Sequence, residues 1–409
     1  MKHSNRIDVV IIGAGIAGLV LAALLAKHSE NLRIKILESN KSSITWSKSI
    51  FDKRVYAISR SSQVVFDYLG IWQDIISRRI SPYRKMQIFN DSESRINFGT
   101  LNFESSEIGE PDLGNIVEDS LIKERLFNLL ERLGNVSIDF NQKIELIENK
   151  DKYIEISTSS GDKFRSGLLV GADGVNSSVR SLSSIAIKRH LFDQYSIVTN
   201  IITEKPHNET AYQFFLENGP LAFLPLKDNR VSIVLSTSKE QAIHLYESSE
   251  KYFCKLLTGF SNKLLGNVLS CDSKKYFPLC SFNAKRYFVN RTVLVGDAAH
   301  SVHPLAGQGI NMGITDVVIL SSILKKSLSA GLDIGELRIL REYQRESRSN
   351  NIKYIFAINS LYDIFKQSSN RSKLIKSLGM FTLNRSSYAK NILMSMALGN
   401  RRDAKFNFF

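Results

Sequence analysis

Arg291 to Asp316, RTVLVGDAAHSVHPLAGQGINMGITD, is the stretch on which the reading of the chain turns. Thr292 to Val295 are β-branched or apolar, the composition of a strand buried on both faces. Gly296-Asp297 closes that strand and sets a carboxylate at its C-terminal tip, the end at which open α/β sheets bind ligands. A loop with Pro304, Gly307, Gln308 and Gly309 follows, and apolar spacing predicts a helix from about Ile310 towards Lys326. The two glycines permit close backbone approach, and the N–H groups of the first turn, through Asn311, have no partner inside the helix. Such an end carries roughly +0.5 of a charge and favours an anionic ligand.

Asp297 can accept hydrogen bonds from a polyol while the helix end steadies negative charge on a ring. The ribityl chain and pyrimidine edge of a reduced flavin make both demands. GDAAHSVHPLAGQGIN, Gly296 to Asn311, resembles the second FAD motif of the flavin-dependent aromatic hydroxylases, the para-hydroxybenzoate hydroxylase fold. HPLAGQGIN is similar to the wording of the ubiquinone-biosynthesis branch. The resemblance implies an α/β fold: a Rossmann-like FAD domain, an inserted β-sheet substrate domain and a C-terminal helical region. The corresponding expected boundaries are 1–80, 105–185 and 285–335 for the FAD domain, 81–104 and 186–284 for the substrate sheet, and 336–409 for the helices.

The N-terminus supplies an independent dinucleotide signal. Ile7 to Ile12 reads as a strand, Gly13-Ala14-Gly15-Ile16-Ala17-Gly18 as a tight turn into an alanine- and leucine-rich helix, and Arg33 to Leu37 as a second strand closed by Glu38. The glycines admit a pyrophosphate to the helix N-terminus, and Glu38 is placed to accept from ribose hydroxyls. That unit alone does not separate FAD from NAD; the stretch near position 300 does. Val9 to Ala26 is uncharged, yet its three glycines and the strand after it argue against a signal peptide or membrane span.

Between these ends lie segments whose roles follow from the resemblance. DKRVYAIS, Asp52 to Ser59, is similar to a segment whose arginine contacts the flavin, which makes Arg54 the candidate; a surface arginine paired with Asp52 is the structural alternative. Tyr83 to Leu101 alternates apolar and polar residues across Asn90-Asp91-Ser92 and predicts a hairpin. Asp119, where the family carries asparagine, either meets the flavin or caps a helix starting near Ser120. GADGVNSSVR resembles the Asp-Gly motif near the pyrophosphate, implicated in pyridine nucleotide use, and this singles out Asp173. GPLAFLPL resembles the segment that roofs the substrate cavity, which singles out Leu224 and Pro225; periodicity alone reads them as core. Beyond Asp316 the chain reads as helical, including Tyr343 to Phe365 and Arg371 to Ala397, and TLNRSSYAKNILMSMALG resembles the tail of the ubiquinone branch.

Composition narrows the remaining classes. Three cysteines, Cys254, Cys271 and Cys280, form no disulfide framework and no CxxC or Cys/His zinc spacing, so a reducing cytoplasm and no metal are expected. His300 and His303 lack a completing ligand and read as loop residues shaping the flavin site, with His303 nearer the ring. The net charge of +14 fits a lysine- and asparagine-rich composition together with attraction to an anionic inner leaflet; no motif supports nucleic acid.

No Ser/His/Asp elbow or P-loop lysine is present, as expected where a cofactor carries the hard chemistry. The resemblance implies an FAD monooxygenase that hydroxylates a polyprenylated phenol with O2 through a flavin C4a-hydroperoxide. Arg54, His303 and Pro304 would lie about the reacting ring, and transient NAD(P)H or a protein donor would supply electrons, within or outside a ubiquinone-biosynthesis complex. Two alternatives stay open: a same-fold hydroxylase or oxidase acting on another small aromatic, and a non-catalytic prenyl-lipid carrier or assembly subunit.

Overall fold

The computed structural model describes residues 7–40, 45–90, 100–304, 307, 309–366, 379–380, 382–386, 390–391 and 394. Gln308, Asp91-Ser92 of the predicted hairpin and most of the predicted helix 371–397 lie outside the described residues.

The first sheet is built around Ile7–Ile12, an apolar run whose last four residues are buried. The strand order is Phe288–Val289, Thr292–Leu294, Lys163–Gly171, Ile7–Ile12, Ile34–Glu38, Val136–Phe140. All neighbours are parallel except the first pair. Ile144–Asn149 and Ile154–Thr158 extend Lys163–Gly171 as an antiparallel arm. The register fixes what matters for function: Ile12 pairs with Gly171 and Leu37, and Gly171 pairs with Leu294. Residues 13, 38, 172–173 and 295–297 therefore leave the sheet side by side at its C-terminal edge. Helix Ile16–His28 is apolar on all sides and almost wholly buried, packed against Asp119–Glu131 and Gly309–Ser329.

The second sheet runs His300–Ser301, Lys275–Ala284, Ile187–Thr203, Arg230–Thr237, Gly219–Pro225, Thr210–Leu216, Lys85–Phe89, Thr100–Glu104, with Val268–Cys271 also on Ile187–Thr203. Lys85–Phe89 pairs antiparallel with Thr100–Glu104, a partner later in the chain than the predicted turn at Asn90-Asp91-Ser92 implies, and joins Thr210–Leu216 in parallel. Helices Lys239–Glu247 and Glu250–Phe260 cover one face, where Ile197, Ile201, Leu221, Phe223, Ile233 and Phe253 share a core.

Gly114–Glu118, just before the helix expected near Ser120, is a fully buried strand. It pairs with Val55–Ile58 and Ser81–Tyr83 in a small third sheet. The following helix starts at Asp119. At the other end Leu337–Lys366 packs on Gly309–Ser329, and the Tyr343 hydroxyl donates to the Leu294 carbonyl at 2.9 Å. Among the described residues no helix is long and apolar enough to cross a membrane.

Candidate FAD and substrate site

The glycine turn is shaped by two different demands. Gly13 has φ +105°, and a Cβ there would stand 2.6 Å from the Ala172 carbonyl oxygen. At Gly18 a Cβ would meet the Gly13 carbonyl oxygen at 2.2 Å, so helix and turn pack backbone to backbone. Gly15 differs. Its φ of −71° suits any residue, and an added Cβ would find nothing nearer than 4.0 Å. Gly309 is similar, with only Asp297 Oδ1 at 4.0 Å. Among the described residues nothing requires glycine at either place. A pyrophosphate on the backbone beside Gly15 and a ring against the helix start at Gly309 would, so the residues fit FAD. Ile16 opens the helix as a buried residue. Ala17 packs where Gly296 crosses Gly313: a Cβ on Gly296 would stand 3.5 Å from both the Ala17 Cβ and the Gly313 Cα.

Glu38 accepts from the Ala14 N–H at 2.9 Å and from the Asn40 N–H at 3.0 Å. Its carboxylate thus ties the second strand to the glycine turn, at the sheet edge the ribose reading requires. Asp173 stands beside Gly13 but is occupied: it accepts from Ser177 Oγ at 2.5 Å and the Val179 N–H at 3.1 Å, bracing helix Ser178–Leu182. Burial raises the Asp173 carboxyl above the usual range, opposed by those same bonds.

Asp297 sits in a single 3₁₀ turn, Gly296–Ala298, directly after the strand. Burial raises its carboxyl, while His300 and Arg54 pull it down and Asp316 adds to the rise. Asp316 was not singled out by sequence, because one acid in a helix reads as a solvent-facing residue. It is 0% exposed and holds this turn in place. One carboxylate oxygen accepts from the Gly296 N–H at 3.0 Å and His300 Nε2 at 2.6 Å; the other accepts from Asn351 at 2.9 Å and from the Ser347 hydroxyl. His300 is therefore no loop residue but a buried prop. Burial works against its charge, yet contact with Asp316 outweighs that and raises its pKa.

Asn311 likewise serves the scaffold through its side chain. Its amide donates to the Ala57 carbonyl at 2.9 Å and accepts from the Ser59 N–H at 3.1 Å and Ser62 Oγ at 2.9 Å. Gly307, with φ +60°, rests over Ala57. Helix Gly309–Ser329, with Ile310 half-buried at its start, is thus sewn to the strand that follows Arg54.

Arg54 does not pair with Asp52, whose carboxylate accepts from the backbone N–H groups of Arg54 and Ser120. The guanidinium lies 5.4 Å from the Tyr56 ring and feels Asp119 and Asp297. Tyr56 donates to Asp119 at 3.2 Å, and Asp119 also pairs with Lys123 at 2.7 Å. Burial pushes the Tyr56 phenol well above its ordinary value, so it stays neutral. The segment is anchored from below by the buried Arg79–Glu118 pair at 2.7 Å, in which Glu118 also accepts from the Asp52 N–H at 2.7 Å.

The two expected roof residues part company. Strand alternation puts Pro225 on the face of Leu221 and Phe223, which pack against the covering helices, and Leu224 on the other. Leu224 pairs with Ser232, and Ser232 with Asn200, whose amide donates to the Asp52 carbonyl at 3.1 Å. Leu224 therefore faces the Arg54 segment and Pro225 does not. On that row Asn200 Oδ1 and Ser232 Oγ are buried with no hydrogen-bond partner among the described residues.

His303 is 1% exposed, and burial lowers its pKa to about 4, so the imidazole is neutral. Its Nε2 lies 3.3 Å from Gln194 Oε1, its ring meets Phe192 edge-on at 4.8 Å, and its Nδ1 has no partner among the described residues. Phe192, Gln194, Phe215, Pro220 and Tyr362 line a cleft of about 280 Å³ next to this loop, which continues into the half-buried Pro304.

Known proteins match this arrangement. The sequence profile of the FAD binding domain family covers residues 6–351. The chain is 30% identical to the ubiquinone biosynthesis monooxygenase COQ6, mitochondrial, of Xenopus tropicalis, over 95% of this chain and 93% of that protein. It is 28% identical to the 3-demethoxyubiquinol 3-hydroxylase of Escherichia coli K12, over 96% and 98%. Among solved structures, p-nitrophenol 4-monooxygenase PnpA from Pseudomonas putida shares the fold with a TM-score of 0.79 at 18% identity, covering 97% of this chain and 99% of that one. A variant of HpxO from Klebsiella pneumoniae, complexed with FAD, does so with a TM-score of 0.74 at 17% identity, covering 96% and 98%. With the turn, the acid and the helix start gathered at one sheet edge, the chain belongs to the FAD-dependent aromatic-ring monooxygenases, in the family of the ubiquinone-biosynthesis hydroxylases.

Proposed function

We propose that this monooxygenase hydroxylates the aromatic ring of a polyprenylated phenol in ubiquinone biosynthesis. The observation that carries the reading is the open ground over Gly15 and Gly309, two glycines without close neighbours among the described residues, at the edge shared by Glu38 and Asp297. Bound there, FAD supplies reduction by a pyridine nucleotide or protein donor and the activation of O2. The chain's own residues do the rest. The N-terminal end of Gly309–Ser329 steadies negative charge, Asp297 accepts from a polyol, and Arg54 contributes a cation between Asp119 and Asp297. Because Asp173 is committed to Ser177 and Val179, Arg54 is the better candidate for a pyridine nucleotide contact.

Half-buried Leu224 offers the apolar face of its row to a substituted ring, with Ser232 and Asn200 buried behind it, and the sheet excludes water that would divert oxygen to peroxide. Neutral His303 can hold a phenolic hydroxyl without a charge to neutralise, with Pro304 shaping the adjacent wall. The cleft beside His303 has an aromatic side, Phe192, Phe215 and Tyr362, that suits the first isoprene units of a tail, and a polar side of Gln194, Glu217, Asn218 and Ser238. The net charge of +14 supports uptake of such a lipid from an anionic membrane surface.

The test is oxygen consumption by the FAD-loaded protein with NAD(P)H and a series of 2-polyprenylphenols, with labelled dioxygen. Incorporation of one labelled atom into the ring, coupled to oxygen uptake and dependent on the tail, supports the reading. Peroxide as the sole product with every phenol would sink it in favour of an oxidase, and failure to retain FAD would favour a carrier.

A further inference from the structure

Glu250, Cys254 and Cys271 lie on the helix-covered side of the second sheet, opposite the row that faces the Arg54 segment. Glu250 opens helix Glu250–Phe260, Cys254 follows one turn later on the same face, and Cys271 ends the strand Val268–Cys271 that packs against this helix. One carboxylate oxygen and the two Sγ atoms all lie within 4.8 Å of one another. Donors of a tetrahedral zinc site stand roughly 3.5 Å apart, given metal–sulfur bonds of about 2.3 Å and metal–oxygen bonds of about 2.0–2.2 Å. Binding would draw the three donors together by no more than about 1.3 Å.

The backbone is already arranged for such a site. Glu250 Oε1 accepts the Cys271 N–H at 3.0 Å, which locks the strand end to the first turn of the helix. Lys274 is fixed nearby, donating to the carbonyls of Leu245 at 2.7 Å and Ser248 at 2.6 Å. Two thiolates and a carboxylate around a divalent ion leave one net negative charge, and the Lys274 ammonium balances it. The helix N-terminus, where Glu250 is the first residue, supports the carboxylate. Cys254 is buried, Cys271 half-buried and Glu250 exposed, so an ion has an approach from solvent and a place for a fourth, water ligand.

We propose that Glu250, Cys254 and Cys271 form a structural binding site for a thiophilic divalent cation of the zinc class, clipping the strand Val268–Cys271 to the helix Glu250–Phe260. It is independent of the flavin reading.

The test uses the full chain, purified in reductant and stripped with chelator, then titrated with Zn2+ and separately with Co2+. The expected results are one retained zinc per chain, a sulfur-to-cobalt charge-transfer band, and a rise in melting temperature with zinc. Cys271→Ser and Glu250→Gln, at half-buried and exposed positions, should fold and bind zinc at least ~10-fold more weakly, the least that loss of even a supporting partner costs. Cys280→Ser should bind as the parent does. No retained metal at micromolar zinc, equal retention by Cys271→Ser, or a cobalt spectrum without sulfur ligation would overturn the assignment. A Cys254–Cys271 disulfide formed under mild peroxide in preference to metal uptake would overturn it as well.

Discussion

A methyl group placed on Gly15 separates ligand binding from folding. In Gly15→Ala the backbone keeps φ −71° and ψ 170°, and the new Cβ meets nothing closer than the Ala172 carbonyl oxygen at 4.0 Å. Alanine caps a helix less well than glycine by several tenths of a kcal/mol, and its smaller unfolded-state entropy returns about 0.4–1 kcal/mol. The flavin-free protein should therefore melt within a few degrees of the parent. With FAD the outcome should change, because the methyl would occupy the ground proposed for the pyrophosphate. Overpacking of this kind costs about 1–3 kcal/mol, which at 1.4 kcal/mol per decade is about 5- to 150-fold in Kd. The assay is paired: melting of flavin-stripped protein, and flavin fluorescence on titration with FAD. Gly13→Ala is the contrast, since φ +105° and a carbonyl at 2.6 Å should damage folding itself by ~2 kcal/mol or more before any ligand is added. An unchanged FAD affinity in folded Gly15→Ala would refute the placement of the pyrophosphate.

Arg54→Ala should slow flavin reduction or turnover at least tenfold, with a melting temperature unchanged within experimental scatter; unaltered stopped-flow reduction and turnover would leave Arg54 an ordinary exposed arginine with no part in the flavin site. Asp316→Asn breaks a fully buried charge network and should lose about 3–5 kcal/mol in urea unfolding, with FAD retention falling as the Gly296-Asp297 turn loosens; a loss below about 1 kcal/mol would mean the network is dispensable. His303 has a folded pKa near 4, below the unfolded value of 6.5, so the unfolded chain takes up its proton first and stability falls as pH drops from 6.5 towards 4. That difference is worth about 3 kcal/mol in all, and His303→Gln should flatten the stability–pH curve in this window; superimposable curves would show that His303 protonates freely.

The parts legible in the sequence are those where one local pattern answers one local demand. Ile7 to Glu38 is a single strand–turn–helix–strand unit, and Asp297 announces itself by following a buried apolar strand. Asp316 was illegible because its partners, Ser347 and Asn351, sit on a different helix, and a lone acid carries no sign of its burial. Gly114–Glu118 was missed as a strand because Glu118 looks like a polar end, whereas Arg79 meets it inside the protein. The division of Leu224 from Pro225 needed the strand register, which a motif resemblance does not contain. Glu250, Cys254 and Cys271 have no recognisable spacing, since a helix and a distant strand bring them together.

The interleaving of the two sheets along the chain bears on how the protein is made. Lys85–Phe89 has no parallel neighbour until Thr210–Leu216 exists, and Lys163–Gly171 keeps an open edge until Thr292–Leu294 arrives. During synthesis the nascent polypeptide must therefore carry unfinished edges of both sheets through most of its length, exposed to chaperones or to one another. Both sheets are completed only once Thr292–Leu294 and His300–Ser301 have left the ribosome, so neither can hold its final edge before some three hundred residues have been made.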